Sequence, residues 1–191
     1  MKRILALSLS AALLLALLCA CSGGNQNQEP VDLAAFYLGL TEKYQVPETP
    51  EQVYPDELAN DDDMWLDGPE SVEDRIKELE EQRNQVRQMG LDAYPGLSDI
   101  TAEQCLVCVS MMSFSASEVA LVQVSSAADV DAVKNILQAR IDAQLNGAML
   151  YPMVAEVWQN NARIVSNGSY VMLIVSEDCD AIVSEFNALF A

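Results

Sequence analysis

The sequence predicts an α+β fold: a four-stranded antiparallel sheet in ββα(α)ββα order, with an added N-terminal helical segment. Three observations predict it. Residues 118–124 (Glu-Val-Ala-Leu-Val-Gln-Val) and 169–175 (Ser-Tyr-Val-Met-Leu-Ile-Val) are of strand length, mostly apolar and rich in β-branched residues. Each run is joined to a β-rich neighbour by a short turn, over 113–117 in one case and at Asn167-Gly168 in the other, so each belongs to a hairpin. After each hairpin the apolar residues recur at helical spacing.

The elements follow in order. Asp32 is placed to cap a helix with the stripe Leu33, Phe36, Tyr37, Leu40 and Tyr44, and Pro47 and Pro50 end it. Residues 48–70 read as irregular and acidic, with the run Asp61-Asp62-Asp63. A calcium loop needs acids at alternate positions, a glycine at the sixth and a glutamate at the twelfth; that register is missing, so the run reads as a solvated loop. Ser71 with Asp74 forms a variant capping box. The helix behind it is expected to run to about residue 89, with Gly90 as its stop. Its stripe is thin (Val72, Ile76, Leu79, Val86, Met89), is interrupted by Arg83, and has Glu81, Arg83 and Arg87 on the outside. Tyr94-Pro95-Gly96 is a turn, and the net charge changes from −14 over 29–100 to −7 over 101–191, which puts a boundary near 95.

Beyond it, strands are expected at about 105–112 and 118–124. A helix then runs from Ser126 or Asp129 to about 146, with the stripe Val130, Val133, Leu137, Ile141 and Leu145 and Gly147 as its stop. A short helix over 152–160 carries Val154, Val157 and Trp158. Strands at 162–166 and 169–175 meet at Asn167-Gly168 in a type I′ turn, which needs positive φ twice. A helix over 178–190 presents Ile182, Phe186 and Leu189. Both faces of 169–175 are apolar, so the sheet must be covered on both sides. The helix at 32–45 is expected to cover the second face and to make one composite domain.

At the chain start, Lys2 and Arg3 precede an almost uninterrupted apolar run over 4–18. The run is shorter than the ~20 residues that span a bilayer, so it reads as a signal segment. It ends in Leu18-Cys19-Ala20-Cys21, which resembles the lipobox of bacterial lipoproteins. That resemblance implies cleavage after residue 20, diacylation of Cys21 with palmitate-like chains, and a lipid-anchored place on the extracytoplasmic face of the cell membrane. Two acyl chains anchor stably where one does not. The expected segments are thus a signal peptide over 1–20, a flexible tether over 21–30, an acidic helical segment over 31–94 and an α+β domain over 95–191. Without 1–20 the chain has 8 Lys+Arg against 29 Asp+Glu, a net of −21, and stands off anionic headgroups.

Composition limits the chemistry. The full chain carries −19 and has no clustered cations to neutralise phosphates, so no nucleic-acid partner is expected. There is no histidine, which removes Ser-His-Asp and Cys-His catalysis and the histidine-bearing zinc sites. Cys105 and Cys108 form a C-x-x-C, but in a strand their odd spacing sends them to opposite faces, away from redox chemistry. Core packing is the first reading of Cys105, Cys108 and Cys179; a bond from Cys179 to Cys105 or Cys108 is the second. No metal site and no cofactor are expected. Glu118 shares its strand face with Ala120, Val122 and Val124, and Arg140 flanks an apolar helix stripe. The two are expected to meet, as a partly buried salt bridge first and as a polar interaction site second.

The stretch from Tyr94 to Phe190 resembles a family of uncharacterised bacterial lipoproteins defined by a domain of unknown function. The likeness rests on Tyr94-Pro95-Gly96-Leu97, Glu118-Val119-Ala120, 129–133, Arg140 with Gln144, Tyr151-Pro152, and 167–171. The resemblance implies an extracytoplasmic location and supplies no catalytic residue and no ligand. Two functions are carried forward. The first is a non-catalytic module that binds an envelope protein or a cationic ligand. The alternative is a carboxylate-based hydrolase of cell-wall or glycan substrates, for which two carboxylates would face each other across a pocket.

Overall fold

In the computed structural model, residues 30–60, 71–112, 115–147 and 151–191 are described. The signal segment, Cys21, the tether as far as residue 29 and the 61–63 acidic run lie outside the described residues. The sheet contains β1 (Ala102–Val109), β2 (Glu118–Val124), β3 (Ala162–Asn167) and β4 (Tyr170–Val175). They are antiparallel throughout, in the order β1-β2-β4-β3. The chain is α+β. β2 and β4 occupy the centre because they are the two runs apolar on both faces: β4 is buried from Val171 to Val175, and β2 nearly throughout.

Six helices are described: α1 (Leu33–Lys43), α2 (Pro50–Val53), α3 (Val72–Asp92), α4 (Val130–Asn146), α5 (Pro152–Asn161) and α6 (Cys179–Ala188). One sheet face carries Ala120, Val122, Val124, Val171, Leu173 and Val175. It packs against Val133, Leu137 and Ile141 of α4 and Val154 and Trp158 of α5. The register puts Cys108, Val119, Leu121, Met172 and Ile174 on the other face. Two helices meet there. α1 buries Leu33, Tyr37 and Leu40, and α6 buries Ile182 and Phe186; Phe36 lies 6.1 Å from Phe186, ring to ring. Leu33 N–H donates to Gln104 of β1 at 2.9 Å, and Lys43 Nζ reaches Glu185 of α6 at 2.8 Å. Residues 32–191 form one compact unit.

Several elements depart from the expectations. Asp32 does cap α1, accepting from Ala35 N–H at 3.0 Å. Residues 50–53 add a helical turn with a full capping box between Thr49 and Gln52, a motif the acidic composition of 48–70 obscured. α3 runs through Gly90 to Asp92. Gly90 is not a stop: a Cβ there would stand 2.8 Å from the carbonyl oxygen of Val107, so the residue is glycine because the helix crosses the edge strand at backbone distance. The expected stripe of α3 is also rotated. Val72, Ile76 and Met89 are exposed, while Leu79, Arg83 and Gly90 are buried.

β1 begins three residues earlier than expected, with an irregularity between Ala102 and Gln104. In the second hairpin Asn167 pairs with Tyr170, so the two central residues are Gly168 and Ser169. Only Gly168 has positive φ, at 56°. That excludes type I′ and fits type II′, in which glycine takes the first central position.

Candidate functional site

The buried polar group of the core lies where β2 begins. Glu118 is 3% exposed, an unusual burial for a carboxylate. Its strand face points it toward α4, where Arg140 sits at the margin of the Val133, Leu137, Ile141 stripe. Arg140 Nε donates to Glu118 Oε1 at 2.9 Å and Nη2 to Oε2 at 2.8 Å, a two-point fork. Tyr94 O–H donates to Glu118 Oε1 at 2.5 Å. The guanidinium also lies 5.5 Å from the centre of the Trp158 ring and 5.8 Å from that of Tyr94. Both contacts favour the cation. Burial works against the Arg140 charge, yet the Glu118 carboxylate outweighs it and holds the pKa above its ordinary value. Burial, with the Glu118 charge behind it, pushes the Tyr94 hydroxyl well up, so it stays a donor.

Glu118 and Arg140 are therefore together, as their strand face and helix position predicted. Sequence reasoning missed the other two members. In the sequence Tyr94 stands in a turn and Trp158 on an apolar stripe. The usable signal was their chemistry: a buried Tyr needs a partner for its O–H, and a large ring beside a lone cation shields it.

At the same end of the sheet a cleft of about 730 Å³ opens to solvent. Its walls are the C-terminus of α1, the end of the β1–β2 connection, the first turns of α5 and the link from β4 to α6. The residues that flank Glu118 in sequence and across the sheet line it: Ala116 and Ser117 before Glu118, and Ser176 after its pairing partner Val175. Ser117 O–H donates to the Gln45 carbonyl at 3.1 Å and ties the end of α1 to the start of β2. Met153, Val154 and Val157 form an apolar wall. Glu42, Glu177 and Asp178 bring acids to the rim, and Lys43 brings a cation. Tyr44, another lining residue, donates its O–H to Glu185 at 2.7 Å. That hydrogen bond, with burial and then the charges of Glu185 and Asp178 behind it, raises the Tyr44 pKa.

The thiols are placed for packing rather than reaction. Cys105 and Cys108 do lie on opposite faces, and Cys105, Cys108 and Cys179 are all free; no bond joins Cys179 to either. Cys108 and Cys179 are buried, but Cys105 is exposed on the edge strand, against the expectation that it packs in the core. Burial pushes Cys108 up to about 11 and raises Cys179, the opposite of an activated thiol. Among the described residues, no cluster of three or more Cys, Asp or Glu is arranged to hold a metal ion. No described helix is long and apolar enough to cross a membrane.

The profile of one protein family, described as a domain of unknown function (DUF4358), matches residues 75–176. The match begins inside α3, ahead of the Tyr94 start expected from the resemblance, and stops at the cleft residue Ser176. It thus takes in Glu118, Arg140, Tyr94 and Trp158, while α1 and α6 fall outside. Comparison with curated proteins and with solved structures gives no match.

Proposed function

The chain belongs to the family described as a domain of unknown function (DUF4358), and from that premise we propose that it is a lipid-anchored extracytoplasmic protein that binds a partner without catalysing a reaction. One observation carries the location. Lys2-Arg3, a 15-residue apolar run and Leu18-Cys19-Ala20-Cys21 follow one another in the order a lipoprotein signal requires. Cys21 receives two acyl chains, and the polar residues to 30 hold the fold clear of the bilayer. The acidic surface attracts a basic envelope protein or a cationic ligand, and it speeds encounter more than it tightens the complex.

The test replaces Cys21 by Ser in the full chain. Acyl labelling should vanish, and the protein should accumulate as precursor or leave the membrane fraction. A variant that still labels and still sediments with membranes would overturn the anchor. For binding, partner retention from envelope extract should fall as salt shortens the Debye length from ~8 Å at 0.15 M to ~3 Å at 1 M. Reproducible hydrolysis of a cell-wall glycan, lost on replacing one Asp or Glu, would replace the binding reading with the hydrolase.

A further inference from the structure

We infer that the cleft beside Ser176 binds an organic ammonium group carried on an apolar body. The inference rests on the binding-module reading and assigns that module a site and a ligand class. Its volume of about 730 Å³ lies within the ~300–1,000 Å³ of small-ligand sites.

The lining has the parts such a ligand needs. Glu42, Glu177 and Asp178 supply negative charge and make no ion pair among the described residues. The cation in the lining, Lys43, is committed to Glu185 at 2.8 Å, outside the cleft. Tyr44 also lines the cleft, held by its bond to Glu185, and an aromatic residue near carboxylates suits a bound ammonium. Ser176 lies in the same wall. It is 5% exposed, and its Oγ accepts from Asp178 N–H at 3.2 Å. The hydroxyl is thus held in the turn that places Asp178 at the rim. Met153 and Val157 form the apolar side on which the body of the ligand lies. Met153 is 67% exposed, and a flexible thioether adapts to chains of different shape.

The chemistry separates this ligand from its neighbours. An anion of equal length meets three carboxylates. A neutral alcohol of equal length keeps the apolar contact and loses the charge. The probes are therefore n-hexylammonium, n-hexanol and hexanoate, titrated calorimetrically into the full chain in detergent. Hexylammonium should bind saturably, hexanol more weakly, and hexanoate not at all. Glu177→Gln with Asp178→Asn should weaken hexylammonium about fivefold, the scale of two partly exposed ion pairs. Tyr44→Leu should weaken it about threefold through the lost ring. Near-UV circular dichroism checks that each variant remains folded, and Lys43→Gln, which removes the lining's cation, should strengthen binding if the site is electrostatic.

Equal affinity for hexylammonium and hexanol, or an unchanged affinity in a folded double variant, would overturn the inference. The double variant also separates it from the broader reading. Salt-sensitive retention of an envelope partner that survives both substitutions would sink the cleft and leave the binding module standing.

Discussion

Among the described residues two arginines turn inward, Arg83 buried and Arg140 half-buried, and they are answered differently. Arg83 on α3 is 6% exposed, and it donates to the Tyr54 carbonyl through Nε at 2.8 Å and Nη2 at 2.6 Å. Its carboxylate partners are wet: Asp56, 2.7 Å away, has an 87% exposed side chain, and Glu80 is half exposed. Arg140 instead meets Glu118, whose side chain is 4% exposed, and is flanked by two rings. The difference teaches where a charge is costly to orphan. Remove Arg83, and its acids turn to water while one carbonyl loses donors. Remove Arg140, and a carboxylate remains in the core with no cation.

The largest effect should come from breaking the second cluster. Arg140→Met should cost ~3–5 kcal/mol of unfolding free energy in urea titration. Adding Glu118→Gln should restore more than half of that loss, because the uncompensated charge is gone. A single-variant loss under ~1 kcal/mol would place Glu118 with the solvated acids around Arg83.

Alkaline pH tests burial on the opposite sheet face, where Cys108 lies beside Tyr37. Burial raises this thiol from 9.0 to about 11, so the folded state keeps a proton that the unfolded chain releases. The stability is therefore whole below pH 9 and is lost as pH rises toward 11. The slope from this one proton should be ~1.4 kcal/mol per pH unit. Denaturation series in Cys108→Ala should show a shallower alkaline limb by that amount; an unchanged limb would assign it to the other raised groups, buried Tyr37 and Tyr94 first among them.

Smaller effects belong to α3. Gly90→Ala should cost ~1–3 kcal/mol, because the new Cβ meets the Val107 carbonyl oxygen and the helix must move off the edge strand. Arg83→Met should cost least, ~1–2 kcal/mol, the scale of a buried carbonyl left short of donors. The ratio of the Arg140 loss to the Arg83 loss, measured under one set of conditions, is the sharpest form of the comparison. A ratio near one would mean that the exposure of the partner acids does not matter.

Some of this was legible residue by residue. Glu118 faces the core because it alternates with Ala120, Val122 and Val124, and the period of two leaves it no other direction. The ends of β2, the cap at Asp32 and the helix before Gly147 follow from equally local rules. Arg83 shows where local rules stop. Its place in the α3 stripe was visible, but its charge argued for the outside. Only the approach of Tyr54, 29 residues earlier, makes an inward guanidinium tolerable. The second turn is a finer case. Asn-Gly favours type I′, but the pairing of Asn167 with Tyr170 moved the turn by one residue. The register is chosen by β4 packing both its faces, and a slip would expose them.

The sequence by itself determined the α+β class, the two hairpins, the inward pair Glu118 and Arg140, and the absence of histidine chemistry, because each depends on periodicity or on residue identity alone. The tertiary structure decided what those features meet: the rings beside Arg140, the strand under Gly90, and the cleft made by the end of α1, the start of α5 and Ser176. These contacts join residues far apart in the chain. Spacing along a strand or helix fixes which way a side chain points, but the group that receives it is set by how separate elements pack, and no local pattern encodes that.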